Sequence, residues 1–172
     1  MRSLLARFGD RALRAILRRV REHSALDPRT SPATKLAIAA LHDKWRTRAR
    51  NGEHLPPGLG LGARIFSQFE EDGLLIYLDA VLELEHRTFV DVGAADGINS
   101  NCANLALNMG WHGLFIDGNS ALIARGRKYY EAHPDTQLWP PVFVEAFITR
   151  ENVNQLIRDA GFSGPIGVMS ID

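Results

Sequence analysis

The segment Phe89-Val-Asp-Val-Gly-Ala-Ala-Asp-Gly-Ile-Asn-Ser100 has the pattern of a buried β-strand that runs into a glycine-containing turn and then a helix. Ligands of parallel sheets sit at the carboxyl ends of the strands, beside the first strand. Gly93 is expected to let the chain turn tightly, and Gly97 to allow close approach of a ligand, because a Cβ there would intrude. Asp91 and Asp96 place carboxylates at this rim. The segment therefore predicts a ligand site at one edge of a parallel sheet.

The flanking sequence repeats the same alternation of short apolar runs and helical patterns. It predicts strands at Thr88–Val92, Gly113–Ile116, Val142–Glu145 and Ile166–Ile171, and helices at about Asn101–Met109, Ser120–Ala132 and Arg150–Ala160. Strand–helix alternation with short connections is typical of parallel strands joined by right-handed crossovers. The expected fold class is α/β, with an incomplete Rossmann-like sheet of about four parallel strands.

Asp117 ends the second predicted strand, 20 residues after Gly97. An acid in this place accepts hydrogen bonds from the two ribose hydroxyls of a nucleoside. A dinucleotide site needs G-x-G-x-x-G, but here Ala95 stands in place of the second glycine, and Asp96 suits a pyrophosphate poorly. S-adenosylmethionine has no phosphate and contains two positively charged groups, a sulfonium and an ammonium. Acidic residues at the site therefore favour it over NAD. The alternative stays open that the glycines serve only a tight turn and that Asp117 only caps the next helix.

The N-terminal part of the chain is basic and helical. Residues 1–50 hold 13 of the 20 Lys and Arg but only 4 of the 20 acids, so a zero net charge hides a basic arm and an acidic body. Residues 3–22 have the spacing of an amphipathic helix with arginines outside the apolar stripe. That helix either packs on the body or makes a peripheral contact with a membrane or a protein. No nucleic-acid partner is expected.

A second helix is predicted after Ser31, a capping residue followed by proline, and it should end at Asn51-Gly52. The segment Leu55–Gly62 is a linker by composition. Ser67-x-x-Glu70 predicts a capping box that opens a third helix. We therefore expect residues 1–63 to form a basic helical extension with its linker, and residues 64–172 to form the α/β unit.

Several classes of protein are disfavoured by what the sequence lacks. Cys102 is the single cysteine, so an intramolecular disulfide is excluded, and no His or Cys cluster has metal-ligand spacing. No apolar run approaches the roughly 20 residues that span a bilayer. The N-terminus has no signal-peptide core, because charged residues interrupt it every few positions. The expected location is cytoplasmic.

Several motifs occur together over residues 64–172. They are Ser67-Gln-Phe-Glu-Glu-Asp-Gly73, Phe89-Val-Asp-Val-Gly-Ala-Ala-Asp-Gly97, Ser100-Asn101, Asn104-Leu105, Gly110-Trp111-x-Gly113-Leu-Phe-Ile-Asp-Gly118 and Met169-Ser-Ile-Asp172. In this combination the sequence resembles the FkbM-type methyltransferases, most closely the bacterial branch that begins with a Ser-Gln-x-x-Glu-Asp-Gly box. One departure is Phe69-Glu70, where the family commonly has Asn-Gly. The resemblance implies a class I methyltransferase fold, S-adenosylmethionine as methyl donor, and O-methylation of a sugar or small metabolite.

The resemblance also implies the roles of individual residues. Asp91, Gly93 and Gly97 would line the methionine end of the cofactor, and Asp117 would bind the ribose. The remaining cofactor-binding candidates are Ala146 and Phe147 near the adenine, Gln68 and Asp72 over the pocket, and Ala94, Ala95, Asp96, Gly118 and Asn119 beside the named acids and glycines. Asp172 would stand at the methyl-transfer site, and no general base is assignable.

In the resembled family, the strand that ends at Asp172 continues into an Asp-Gly-rich loop and further strands. We therefore expect this chain to be the N-terminal part of a methyltransferase domain, truncated after the fourth strand, with that strand as an unprotected edge. The alternative is a non-enzymatic module, derived from a methyltransferase, that binds a nucleoside cofactor or a protein partner. A fragment of an NAD-dependent oxidoreductase is a third hypothesis, which Ala95 disfavours.

Overall fold

A computed structural model describes residues 27–57 and 61–172 of the 172-residue chain. The predicted helix at residues 3–22 and the middle of the predicted linker lie outside the described residues. The described chain opens with a short 3-10 helix at Pro28–Thr30. It continues with α1 (Pro32–Arg50), α2 (Glu71–Leu82), β1 (Thr88–Val92), α3 (Ala103–Asn108), β2 (His112–Asp117), α4 (Ser120–Ala132), β3 (Val142–Glu145), α5 (Val153–Asp159) and β4 (Val168–Ile171).

The four strands form one parallel sheet in the order β3-β2-β1-β4. The predicted α/β class and the predicted four parallel strands are therefore confirmed. The chain first moves outward from β1 to β3 and then returns to the other side of β1 with β4. The carboxyl ends of β1 and β4 thus flank the point where the strand order reverses, which is where open α/β sheets bind ligands.

Each face of the sheet has its own hydrophobic core, because successive side chains of a strand point to opposite faces. Phe89 of β1 packs in a cluster with residues of α3 and α4. Val90 and Val92 pack on the other face with Ile157 of α5. Val90 is fully buried, and so is Phe89. A central strand apolar on both faces is what a sheet covered by helices on both sides requires.

The helix α1 has the predicted ends and packs on α2. The Ser31 hydroxyl accepts a hydrogen bond from the Thr34 N–H at 3.2 Å, and the helix stops at Asn51. The Trp45 ring meets the Tyr77 ring edge-on, with centroids 5.5 Å apart. Both rings belong to a small core that the two helices share. The described part of the basic extension is therefore attached to the rest of the chain by apolar packing, and its Arg50 also pairs with Glu83.

The turn before α2 differs from the predicted capping box. The helix begins at Glu71, and the residue before it, Glu70, makes no capping hydrogen bond with its side chain. Instead the Asp72 Oδ2 accepts the backbone N–H groups of residues 65–67, at 2.7 to 2.9 Å. The Ser67 hydroxyl also donates to Oδ2. A buried carboxylate binds several donors more strongly than a hydroxyl does, so Asp72 determines the path of the turn.

Burial lowers the pKa of two histidines in this fold. His112 lies at the start of β2 and stacks on Trp139. His133 follows α4, and its Nδ1 accepts the Asp135 N–H at 3.2 Å. Desolvation lowers the pKa of both imidazoles, and at His133 the nearby Asp135 carboxylate opposes the effect. The folded state therefore favours the neutral form of both imidazoles.

We expect the free energy of unfolding to fall as the pH falls below about 6.5. The folded pKa of each histidine lies below its unfolded value. Their contribution to stability is therefore complete above the unfolded pKa and is lost as the pH falls from that value through the folded pKa. Urea unfolding at pH values from about 7.5 to about 5 measures the slope. His133→Gln should flatten it, whereas His54→Gln, at an exposed position, should keep it. An unchanged slope in His133→Gln would contradict the prediction.

Candidate functional site

An open cleft of about 250 Å³ lies at the carboxyl ends of β1 and β4. It is lined by Asp91, Gly93, Ala94, Ala95, Asp96, Asn99, Ser100, Asn101 and Asp172. Six of these nine residues were predicted as site residues from the sequence, and Asn99, Ser100 and Asn101 were not. The cleft therefore brings together the residues of the turn after β1 and the residue that follows β4.

The turn after β1 needs glycine at two positions, for different reasons. Gly93 has φ +79°, and a Cβ there would come within 2.7 Å of the Asp172 carbonyl oxygen. Gly97 has φ +68°, and a Cβ there would meet the buried Phe115 ring at 3.2 Å. Both positions lie in the left-handed region that favours glycine. The expected reason for Gly97 was close approach of a ligand, but the neighbour that limits this position is the Phe115 ring of the core.

Asp91 lies at the bottom of the cleft and is almost fully buried. Its Oδ2 accepts the backbone N–H of Cys102 at 3.2 Å, directly before α3. Burial raises the pKa of Asp91, while the Cys102 N–H and the hydroxyls of Ser170 and Ser100 oppose that shift. The N-terminal end of α3 is thus already occupied by a carboxylate of the protein. An anionic ligand group would compete with Asp91 for this position.

The helix α4 contacts the turn after β1 through three residues. The Tyr130 hydroxyl, fully buried, donates to the Gly97 carbonyl oxygen at 2.7 Å. The Arg125 guanidinium lies 3.2 Å from the Asp96 carboxylate. Gly126 packs so closely that a Cβ on it would come within 2.3 Å of the Asp96 carbonyl oxygen. These three contacts restrict the turn to a conformation that packs on α4.

Asp117 joins the end of β2 to the same turn. Its Oδ2 accepts the Ala95 N–H at 2.9 Å, and its Oδ1 accepts the Asn119 N–H at 2.8 Å. Asn119, rather than Asp117, caps α4, because its Oδ1 accepts the N–H groups of Ala121 and Leu122. Each carboxylate oxygen of Asp117 has a second lone pair for a further donor. Asp117 is therefore available to a ligand hydroxyl while it holds Ala95, a residue with φ +53°.

The residues predicted to lie near an adenine are next to Asp117. The Ala146 N–H donates to the Asp117 carbonyl oxygen at 3.0 Å. The Phe147 ring lies against Gly118, where a Cβ would come within 2.4 Å of the ring. This ring is 81 % exposed, which is high for a phenylalanine. Asp117, Gly118, Ala146 and Phe147 therefore form a second group of candidate residues, at the carboxyl ends of β2 and β3 and outside the nine residues that line the cleft.

Gln68 and Asp72, predicted to cover the pocket, belong neither to the nine residues that line the cleft nor to the group around Asp117. The Gln68 side chain is exposed, and Asp72 is completely buried in the turn before α2. Asp72 Oδ2 is occupied by the N–H groups of residues 65–67, so the role that the structure gives it is to shape the chain rather than to line the cleft. The cleft residues that the sequence reasoning missed, Asn99–Asn101, directly follow the glycine turn. Because the glycine turn was predicted to line the ligand site, the polar residues that follow it could have been included from the sequence.

Comparison of the chain with protein-family models, with curated proteins and with solved structures gives no match. Within residues 27–57 and 61–172, no three His, Cys, Asp or Glu side chains are grouped so as to hold a metal ion. No helix in those same ranges has the length and apolar character needed to cross a bilayer. The geometry of the cleft and of the neighbouring strand ends is therefore what bears on function.

Proposed function

We propose that this protein binds S-adenosylmethionine and belongs to the methyltransferases of the class I fold, of the FkbM type that its motifs resemble. The observation that carries the proposal is the group of three carboxylates, Asp91, Asp96 and Asp172, around a cleft at the reversal of the strand order. A ligand with an ammonium and a sulfonium ion is attracted by such a group. Asp117, at the next strand end, supplies acceptors for ribose hydroxyls.

The positions along the sheet edge follow the order of the parts of the cofactor. The cleft at β1 and β4 suits the amino-acid end, Asp117 at the end of β2 suits the ribose, and Phe147 after β3 suits the adenine. Neighbouring strands lie about 4.8 Å apart, so the three positions span roughly 10 Å. A nucleoside with an amino-acid side arm fits this extended arrangement. The exposed Phe147 ring offers the planar surface on which a base stacks.

NAD fits the same edge less well, because its pyrophosphate needs a free helix N-terminus after the first strand. Here that end of α3 is occupied by the Asp91 carboxylate. The buried carboxylate of Asp96 lines the cleft and would repel the phosphates, although the exposed Arg125 guanidinium, 3.2 Å away, offsets part of its charge. These contacts favour a cationic ligand over an anionic one at the cleft.

When bound, S-adenosylmethionine supplies an electrophilic methyl group to an acceptor. Methyl transfer depends mainly on bringing the acceptor and the methyl group into line. The residues of this chain bind and orient the cofactor. The acids at the cleft bind its cationic amino-acid end, and α4 holds the turn after β1 in place. The FkbM resemblance suggests a hydroxyl of a sugar or small metabolite as the acceptor. Asp172, exposed beside the cleft, is the residue we place nearest to it.

Calorimetric titration of the chain with S-adenosylhomocysteine, and separately with NAD, tests the proposal. We expect binding of S-adenosylhomocysteine and no measurable heat from NAD. Circular dichroism establishes beforehand that the chain is folded. A folded chain that binds NAD, or that binds neither ligand, would overturn the proposal. Binding of the cofactor without methylation of any hydroxyl acceptor would favour the non-enzymatic module instead.

A further inference from the structure

Arg29, in the 3-10 helix before α1, has a guanidinium group that is fixed from two sides. Its Nε and Nη2 donate to the Asp27 carboxylate, at 3.1 and 2.8 Å. The Asp27 Oδ1 also accepts the Arg29 backbone N–H at 2.9 Å. The guanidinium lies over the Phe66 ring, 4.5 Å from its centroid. Arginine in such a fork and on an aromatic face is strongly oriented.

The same residue reaches the rim of the cleft. Its Nη1 donates to the Asn99 Oδ1 at 3.0 Å, across 70 residues of sequence, and Asn99 lines the cleft. The Arg29 carbonyl oxygen accepts the Asn108 Nδ2 at 3.0 Å. Residues 27–30 are therefore tied to both the loop and the far end of α3. The N-terminal extension supports the wall of the cleft as well as packing on α2.

The contact with Arg29 determines how the Asn99 amide is oriented. A guanidinium has only donors, so Asn99 must present its oxygen to it. The Asn99 Nδ2 then remains as a donor and forms no hydrogen bond with any other described residue. The side chains of Asp91, Asp96 and Asp172 at the same cleft are carboxylates, which accept hydrogen bonds when ionised. An amino-acid group needs both kinds of partner: acceptors for its ammonium and a donor for its carboxylate.

We infer that Arg29 is a positioning residue for the cleft, and that it orients Asn99 so that the amide nitrogen binds the carboxylate of the amino-acid end of the ligand. The inference rests on the proposed function and names the contact for one group of the cofactor. Without Arg29, Asn99 on its exposed loop has several rotamers and two amide orientations. Fixing one rotamer and one amide orientation when the ligand binds costs conformational entropy, and this cost lowers the affinity.

The test compares two ligands that differ at the amino-acid end. S-adenosylhomocysteine has it, and 5′-methylthioadenosine lacks it. We expect Arg29→Ala and Asn99→Ala each to lower the affinity for S-adenosylhomocysteine by about threefold to tenfold, which corresponds to the loss of one hydrogen bond. Neither variant should change the affinity for methylthioadenosine. The double variant should be no weaker than Asn99→Ala alone, because the two residues act through one contact.

Arg46→Ala is the matched control, since it removes an arginine of α1 whose ion pair with Asp43 is on the surface. It should leave both affinities unchanged. An equal loss of affinity for both ligands in Arg29→Ala would overturn the inference, and so would additive losses of affinity in the double variant. If the wild-type chain binds neither ligand, the proposed function fails, and amide hydrogen exchange in the free chain then tests Arg29 separately. Unchanged exchange of residues 97–102 in Arg29→Ala would overturn its role in holding the loop.

Discussion

Replacing Asp117 with alanine is expected to weaken S-adenosylhomocysteine binding by at least about 100-fold, to below calorimetric detection. The physical reason is the loss of two acceptors for ribose hydroxyls, since a hydrogen bond to a charged group contributes about 1.5–3 kcal/mol. The substitution also releases the Ala95 N–H, which the Asp117 Oδ2 accepts at 2.9 Å. The turn after β1 then loses one of its fixed points.

The matched control for this variant is Glu131→Ala. Glu131 is an exposed acid near the end of α4, and α4 runs from the carboxyl ends of the strands back toward their amino ends. Removing its charge should leave the affinity within about twofold, since surface substitutions usually have small effects. Thermal melts followed by circular dichroism establish that both variants are folded. Retained binding by a folded Asp117→Ala chain would mean that this acid only organises the turn.

Gly126→Ala is expected to lower the free energy of unfolding by about 1–3 kcal/mol, although alanine is the better helix former. In a helix interior the change alone would stabilise by about 1 kcal/mol. Here the new Cβ would lie 2.3 Å from the Asp96 carbonyl oxygen and 2.5 Å from the Phe143 ring. The first neighbour is backbone, and its chain is held by Arg125 and Tyr130, so it has little freedom to move. Overpacking against fixed atoms therefore outweighs helix propensity.

Urea unfolding of Gly126→Ala beside Gly164→Ala measures this effect. A Cβ on Gly164 meets nothing within 4 Å, so that variant should stay within about 0.5 kcal/mol of the wild type. Because Asp96 lies at the cleft, Gly126→Ala should also weaken S-adenosylhomocysteine binding, whereas Gly164→Ala should not. A Gly126→Ala chain that is more stable than the wild type would show that α4 moves away from the turn at little cost.

The elements that the sequence predicted well are those with a strong local pattern. The predicted bounds of Thr88–Val92, Ser120–Ala132 and Val142–Glu145 are the observed ones. β1 is buried at every residue after Thr88 and is apolar there except at Asp91, and Asn119 marks the start of its helix with a capping side chain. The start of α2 was wrong because Asp72, within the helix, binds backbone groups of residues 65–67 before it. No local sequence pattern predicts that contact.

The sequence by itself determined the α/β alternation, the glycine turn after β1 and the acids at its rim. These depend on side-chain periodicity and on the backbone freedom of glycine, which are properties of neighbouring residues. Only the tertiary structure decided that Gly97 faces Phe115, that Asp72 is buried away from the cleft, and that Arg29 holds Asn99 at its rim. Such contacts join residues distant in the chain, and they form only when strand order and helix packing have brought those residues together.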